Sequence, residues 1–330
     1  MKIARVLAAA ALAGLIAKPA AAQTVTFDLI NEYPANSITG EADTFFTDAV
    51  KRRTDGRIIV RPISDAKSGV RTKDQLKAVT EGRFAIANSF AGALGDDSPV
   101  FLLSSLPFVT PTVADMRVLY EAARPLYEKL LADRKQKLLY VTPWPPSGIW
   151  SAKPVSTIEA LKALKIRTYD NTGTDVFGKI ASTAAVVSFA DVMPKLESGE
   201  FNAVLSSGDG GAGRALWKYL PNFSDVGYAA PLSLASISLF AWDGLDDAGR
   251  AAIADAARET TEHQWAALAG RLAENFKRMR DNGVAIDEKP PAEVMSALRA
   301  AAETSVTDWA SRAGPEARGV LEAYQRKQAR

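Results

Sequence analysis

Residues 158–168, IEALKALKIRT, combine a short helix with a strand that follows it directly. Residues 158–164 predict the helix, and residues 165–168 predict the strand. A short helix that leads straight into a strand is typical of chains in which the two kinds of element alternate. The stretch therefore favours an α/β protein with parallel or mixed sheets flanked by helices.

The same alternation recurs on the N-terminal side of this stretch. Predicted strands are residues 25–30, 57–62, 84–87 and 138–141, and predicted helices are residues 37–54, 72–81 and 114–135. Asn36 or Ser37 is suited to cap the first helix, and Asp55-Gly56 is suited to end it. From Leu245 onward the pattern is almost wholly helical, with breaks near residues 283–291 and at Gly314-Pro315. The sequence thus predicts a two-lobed α/β body with a helical C-terminal third.

Composition excludes several classes of chemistry. The chain of 330 residues has a net charge of +2, so it lacks the basic excess of a nucleic-acid-binding protein. It has no cysteine and one histidine, His263, which excludes disulfides, thiolate zinc sites, iron–sulfur clusters and His-rich metal sites. We expect no catalytic residue, no metal, no cofactor and no nucleic-acid partner.

Residues 1–22 predict a secretory signal peptide. Lys2 and Arg5 precede an apolar run over residues 6–16, and three alanines ending at Ala22 precede Gln23. The apolar run is too short for a membrane span, which needs about 20 residues. We therefore expect export, cleavage between Ala22 and Gln23, and a periplasmic product without stable membrane insertion.

Five further segments, taken in order, resemble one known family. They are residues 49–60, 79–87, 106–109 (LPFV), 153–155 (KPV) and 161–167 (LKALKIR). Their order and spacing resemble the substrate-binding proteins of tripartite ATP-independent periplasmic (TRAP) transporters over nearly the whole chain after residue 22. The resemblance implies the two-lobed periplasmic binding protein fold with mixed sheets and hinge strands. It also implies a ligand held in the cleft and delivery to the subunits of a TRAP membrane permease.

The resemblance also implies where the lobes divide. Lobe one would comprise residues 24–144 plus 233–272, and lobe two residues 145–232 plus 273–330. A long helix over residues 248–280 would run across both. Because the chain would cross between the lobes several times, we expect the cleft to close by rigid-body movement about hinge strands.

Arg167 is the main candidate for binding the ligand. In proteins that this chain resembles, the arginine at this position binds the ligand's carboxylate, and a guanidinium can do so through two charge-assisted hydrogen bonds. Asp170 is a second candidate ligand-binding residue, although Asp170 or Asp191 could instead pair with Arg167. The family often has a second arginine where this chain has Ser147. We therefore expect a small-molecule ligand with one carboxylate.

Aromatic residues lie on segments that face the cleft in the family. They are Phe90, Trp144, Trp150, Tyr169 and Phe189. Flat apolar walls suit an apolar or aromatic ligand body, although single rings could instead fill the core near the hinge. With Arg167, the pattern predicts an organic monocarboxylate with an apolar or aromatic body.

Residues 208–213, GDGGAG, match the dinucleotide-binding pattern G-x-G-x-x-G. No acid lies about twenty residues further on, and an exported protein has little access to NAD, so dinucleotide binding is not expected. Two alternatives stay open. Free N–H groups at a helix start would bind an anion, with Ser206, Ser207 and Asp209 facing the ligand, or the glycines only form a tight turn.

Other functions remain as alternatives. A binding protein of this kind can serve an ATP-driven importer or a sensor, and the sequence discriminates these poorly. An exported hydrolase has less support, because the chain has neither H-E-x-x-H nor G-x-S-x-G and His263 stands alone in a helical segment.

Overall fold

A computed structural model describes residues 24–328, in which strands and helices alternate. The strands are β1 (Val25–Asn31), β2 (Ile58–Ile63), β3 (Ile86–Phe90), β4 (Gln136–Pro143), β5 (Ser147–Ser151), β6 (Lys165–Thr168), β7 (Thr183–Val186), β8 (Ala203–Ser207), β9 (Asn222–Ser224), β10 (Leu232–Ser238) and β11 (Ala285–Asp287). The helices are α1 (Ile38–Arg53), α2 (Thr72–Thr80), α3 (Val113–Asp133), α4 (Ile158–Lys162), α5 (Asn171–Gly178), α6 (Val192–Glu197), α7 (Gly208–Gly213), α8 (Leu239–Asp243), α9 (Asp247–Asp281), α10 (Ala292–Ala302) and α11 (Ser305–Gln328).

The strands form two mixed sheets. Sheet A has the order β2-β1-β3-β10-β4; β1 pairs in parallel with β2 and β3, while β10 is antiparallel to β3 and β4. Sheet B has the order β11-β9-β5-β8-β6-β7; β6 is parallel to β7 and β8, while β5 is antiparallel to β8 and β9. The predicted two-lobed α/β fold with mixed sheets and a helical C-terminal third is confirmed.

The chain passes between the sheets more than once. It leaves sheet A after β4, builds most of sheet B, returns to sheet A at β10 and reaches sheet B again at β11. The long helix α9 packs against α1 and β4 near sheet A and against α7 and β11 near sheet B. Each sheet therefore contains strands from separate parts of the sequence.

Helix ends follow the local signals that predicted them. The Ser37 side chain caps α1 by accepting a hydrogen bond from the Gly40 N–H, and Gly56 after the helix has a φ of 74°. Helix α11 is kinked at Gly314, whose φ of 85° is not helical, directly before Pro315. The prediction for β3 was shifted, because the strand begins at Ile86 and not at residue 84.

The structure bears on membrane insertion but not on the predicted signal peptide. Among residues 24–328, no helix is both long and apolar enough to cross a membrane. The predicted signal peptide, residues 1–22, lies outside the described residues.

The fold brings three strand ends to one place. Glu32 and Tyr33 follow β1, Phe90 ends β3, and Tyr169 and Asp170 follow β6. The first two strands belong to sheet A and the third to sheet B. Side chains just beyond the carboxyl ends of strands commonly line the ligand crevice of an open α/β sheet, and here a cleft between the sheets lies at that position.

Candidate functional site

The cleft is a cavity of about 580 Å³ lined by segments that follow strands of both sheets. Its inner end adjoins a smaller pocket of about 20 Å³, and Tyr33, Phe90, Arg167 and Tyr169 line both spaces. A cavity of this size with mostly apolar walls and a few convergent polar groups is typical of a small-molecule site.

Arg167 lies at the inner end of the cleft with only 3% of its surface exposed. Its Nε donates to the Val187 carbonyl at 2.7 Å, and its Nη1 donates to the Leu205 carbonyl at 3.3 Å. Among the described residues, no carboxylate lies within ion-pair distance of this guanidinium. Burial lowers the pKa of Arg167, because the charged form is removed from water.

Both acids that could have paired with Arg167 have other partners. Asp191 binds Arg71 through two hydrogen bonds, of 3.1 and 2.7 Å. Asp170 caps α5, and its Oδ1 accepts from the Gly173 N–H at 2.7 Å. Among the described residues, the hydrogen bonds of Arg167 therefore go to carbonyl oxygens and not to a carboxylate, and a buried charge without a counter-ion is costly.

Aromatic rings form the walls around this charge. The Tyr33 ring stacks on Phe189 with centroids 4.9 Å apart and lies 4.6 Å from Trp144. The Phe90 ring meets Tyr169 edge-on at 5.2 Å. The Phe189 ring also lies 5.4 Å from the Arg167 guanidinium, a cation–π distance.

The structure brings eight of the ten predicted ligand-binding residues to the two connected spaces. They are Phe90, Trp144, Ser147, Arg167, Tyr169, Asp170, Ser206 and Ser207. Ser147 and the two neighbouring serines of β8 face the smaller pocket, where Arg167 is the one cationic residue among those described. A second cation is thus missing from the position where the family often has one.

Trp150 does not reach the cleft, so its predicted role in binding was wrong. Its side chain is fully buried, and its Nε1 donates to the Ser207 carbonyl at 3.1 Å. A Cβ atom on Gly211 would come within 2.1 Å of the ring, so the ring lies directly against α7. Neighbouring residues of a strand face opposite sides, and Trp150 is an odd number of positions from Ser147, which lines the pocket.

Asp209 does not face the cleft either. The glycine-rich segment is helix α7, not a tight turn, and Asp209 lies inside it; the Ser207 side chain caps the start of the helix by accepting from the Gly210 N–H. The Oδ1 atom of Asp209 accepts from the Ile38 N–H at 2.8 Å, and its Oδ2 accepts from Arg271 and Asn275. These contacts join α7 to α1 and α9, which makes Asp209 a buried structural acid.

Two residues directly after β1 were missed. Tyr33 stacks at the centre of the aromatic wall, and Glu32 is 2% exposed beside it. The Glu32 carboxylate accepts from the backbone and hydroxyl of Thr72, at 2.6 and 2.8 Å, and from Ser188 and Ala190, at 2.5 and 2.9 Å. Glu32 therefore connects α2, beside sheet A, to the segment after β7 of sheet B. Glu32 and Tyr33 lie just beyond the end of the parallel strand β1, and this position was the signal that could have identified them.

Similarity to known proteins agrees with this geometry. A sequence profile described as bacterial extracellular solute-binding protein, family 7, matches residues 30–312. The chain belongs to this family. A search of curated protein sequences gave no significant match.

Solved structures similar to this family 7 protein are solute receptors. DctP7 and DctP6 of Bordetella pertussis, two extracytoplasmic receptors binding pyroglutamic acid, share 26% and 25% identity with it. Each has a TM-score of 0.86, with 92% of this chain and 100% of that chain covered. A TRAP periplasmic binding protein of Roseobacter denitrificans with bound β-D-glucuronate has 18% identity and a TM-score of 0.82, with 91% and 99% covered, and shows the same fold. The family and these neighbours are solute receptors, not enzymes.

Proposed function

We propose that this receptor captures a small organic monocarboxylate in the cleft and delivers it to a TRAP permease. The ligand's carboxylate binds the Arg167 guanidinium, and a flat apolar or aromatic body lies against Tyr33, Phe90 and Tyr169. The supporting observation is that Arg167 is buried without an acid partner among the described residues. A carboxylate ligand would supply the missing counter-ion through a bidentate pair.

The proposal of a single carboxylate rests on the other cations that line the cleft. Arg71, Lys73 and Lys195 already pair with Asp191, Asp74 and Glu200, at 2.7, 3.2 and 2.7 Å. Among the lining residues that the structure describes, Arg167 alone has no such pair. A second carboxylate on the ligand would have to displace an existing ion pair or stay unpaired, which costs free energy.

The neighbours support the same ligand class. Pyroglutamic acid, which DctP6 and DctP7 bind, is a compact ring with one carboxylate. Such a ring presents a flat face to aromatic walls, as an aromatic acid does. We therefore include cyclic as well as aromatic acids among the candidate ligands.

We also propose that lobe one, residues 24–144 plus 233–272, closes on lobe two, residues 145–232 plus 273–330. Contacts across the cleft mouth support this movement. Glu32 accepts hydrogen bonds from Thr72 on one side and from Ser188 on the other, and Arg71 pairs with Asp191. These polar groups would separate and become hydrated when the cleft opens, so the described state corresponds to a closed receptor.

A thermal-shift screen of organic acids tests the proposed function. One set contains benzoate, indole acetate, pyroglutamate and branched oxo acids, and the other contains dicarboxylates, uronic acids and sialic acid. We expect hits in the first set, with a stabilisation of about 2.7 kcal/mol at a hundredfold excess over Kd. Hits confined to dicarboxylates would contradict the proposal of a single carboxylate. Hits confined to uronic acids and sialic acid, which each carry one carboxylate, would contradict the apolar or aromatic ligand body.

Matched variants then assign the effect to the arginine. Arg167→Lys keeps the charge but loses the planar donor pair, so it should weaken binding, and Arg167→Ala should weaken it further. Lys277→Ala, on the exposed surface of α9, serves as the control and should bind as the wild type does. Equal affinity of all variants would place the carboxylate elsewhere.

A further inference from the structure

Asp170 has one carboxylate oxygen that the fold does not use. Asp170 is buried, with 2% of its surface exposed, and it lines the same cavity as Arg167. Its Oδ1 accepts from the Gly173 N–H, whereas Oδ2 has no hydrogen-bond partner among the described residues. Buried polar atoms almost always have a partner, so an unpaired one beside a cavity requires an explanation.

Among the described residues, no donor meets hydrogen-bond geometry at this oxygen. The Ser105 hydroxyl lies nearby, and its Oγ is also without a partner by the same criterion. Burial raises the pKa of Asp170 to about 7, which outweighs the lowering by the Gly173 N–H, Ser105 and Arg167. The ionised carboxylate is therefore under-solvated in the ligand-free protein, and a donor placed at Oδ2 would stabilise it.

Gly92 leaves space at this oxygen. It also lines the cavity, and a Cβ atom on it would lie 3.0 Å from Asp170 Oδ2 and 2.6 Å from the Phe90 ring. Any side chain at this position would thus crowd both groups. The glycine thus leaves the space next to the buried Oδ2 free of a side chain, between the aromatic wall and the cavity.

We propose that Asp170 Oδ2 accepts a hydrogen bond from an N–H group of the ligand, so that the cleft selects carboxylates that carry such a group. The inference rests on the proposed function, because Arg167 fixes the carboxylate end. Arg167 and Asp170 are three residues apart and close enough for their charges to interact. The N–H must therefore be near the carboxylate, as in a cyclic amide acid or an amino acid.

Matched ligands test the hydrogen bond directly. Calorimetric titration of the purified protein compares pyroglutamate with its lactone analogue, in which oxygen replaces the ring N–H at nearly the same shape. We expect pyroglutamate to bind about ten- to a hundredfold more tightly, because the lactone leaves Oδ2 unpaired and faces it with a second acceptor. Proline, which carries a cationic N–H group on a ring of the same size, distinguishes an ammonium from an amide donor, and either preference over the lactone supports the proposal.

A variant pair assigns the selectivity to Asp170. In Asp170→Asn the carboxamide oxygen can still cap α5, and the NH₂ group takes the place of Oδ2 and donates where the carboxylate accepts. The preference for pyroglutamate over the lactone should fall to about unity or reverse. Asp175→Asn, at an exposed position on the same helix, should keep the wild-type ratio.

The outcomes separate this inference from the proposed function. Equal binding of pyroglutamate and lactone by the wild type, or an unchanged ratio in Asp170→Asn, would overturn the role of Asp170 and leave the monocarboxylate site intact. Failure of pyroglutamate, proline and lactone to bind, alongside binding of other monocarboxylates, would also overturn it. Failure of every monocarboxylate would contradict the proposed function itself. The comparison of ligands on the wild type keeps the test valid even if Asp170→Asn does not fold.

Discussion

Arg167 and Arg271 are both buried, with 3% and 9% exposure, but their surroundings are opposite. Arg271 on α9 pairs with Asp209 and with Glu41, the latter at 2.9 Å, and donates to the Asn36 carbonyl. Burial acts to lower the pKa of both guanidiniums; for Arg271 the charges of Asp209 and Glu41 more than offset it, so its pKa is raised. Arg167 has only carbonyl partners among the described residues.

The difference separates a structural charge from the charge that we propose binds the ligand. Arg271 joins α9 to α1 and α7 with its charge satisfied inside the protein. Arg167 is placed at the inner end of a cavity with its charge unsatisfied, which costs stability in the ligand-free state. A ligand carboxylate that pairs with the buried guanidinium removes this cost, and the free energy recovered adds to the affinity for the ligand.

The largest effect on stability should come from Arg271→Met. Removing the guanidinium leaves Asp209, which is 1% exposed, as a buried charge without a cation. We expect the free energy of unfolding, measured with denaturant, to fall by about 3–5 kcal/mol. Lys277→Met on the exposed face of α9 should change it by less than about 0.5 kcal/mol. A loss for Arg271→Met as small as for this control would show that Arg271 does not hold the helices together.

Arg167→Met should weaken ligand binding but should not lower the stability of the ligand-free protein, in contrast to Arg271→Met. Binding of the ligand found by the screen should weaken by about 2–5 kcal/mol, because the carboxylate loses its only cation. The free energy of unfolding of the ligand-free protein should be unchanged or higher, since a costly buried charge is replaced by an apolar side chain of similar length. Of the two variants, Arg167→Met should therefore show the larger loss of ligand affinity by calorimetry, and Arg271→Met the larger loss of stability by unfolding. A large loss of ligand-free stability in Arg167→Met would make both arginines structural.

A smaller effect is expected from Glu32→Gln at the cleft mouth. The carboxylate accepts four hydrogen bonds, two from Thr72 and one each from Ser188 and Ala190, and an amide cannot accept all of them. We expect binding to weaken by about 1–2 kcal/mol through faster ligand dissociation, measured by stopped-flow kinetics. Asp28→Asn, in an exposed ion pair on β1, is the control and should leave dissociation unchanged. An unaltered dissociation rate in Glu32→Gln would show that these bonds do not hold the cleft closed.

The smallest effect should distinguish the aromatic wall from the core. Phe90→Leu should reduce affinity by about 0.5–1.5 kcal/mol through loss of ring contact with the ligand. Trp150→Phe should lower the melting temperature, because the ring fills space against α7, and should leave affinity unchanged. Thermal unfolding and calorimetry on both variants provide the comparison. Loss of affinity in Trp150→Phe alone would reverse the assignment of the two rings.

Local patterns were enough to predict several elements, including the strand that carries Arg167, whereas the binding role of Arg167 was predicted from the family resemblance. The cap at Ser37, the stop at Gly56 and the strand after residues 158–164 depend on neighbours in sequence, and the structure confirms them. Asp209 was misassigned because its partner, Arg271, is 62 residues away, and only the packing of α7 on α9 brings them together.

Other errors had different physical causes. Trp150 was misassigned although strand alternation from Ser147 already predicts that its side chain faces away from the pocket. Tyr33 and Glu32 carry no motif, and only their place beyond β1 marks them. The unpaired oxygen of Asp170 depends on atomic packing that no residue pattern contains.

A crystal structure of the protein with its best monocarboxylate ligand tests the central claim most directly. The deciding quantity is the distance from the Arg167 guanidinium nitrogens to the ligand's carboxylate oxygens. We predict a bidentate pair, with both oxygens at about 2.7–2.9 Å from guanidinium nitrogens and with Arg271 still bound to Asp209. A carboxylate bound instead by Arg71 or Lys195, with Arg167 paired to an acid of the protein, would contradict the account.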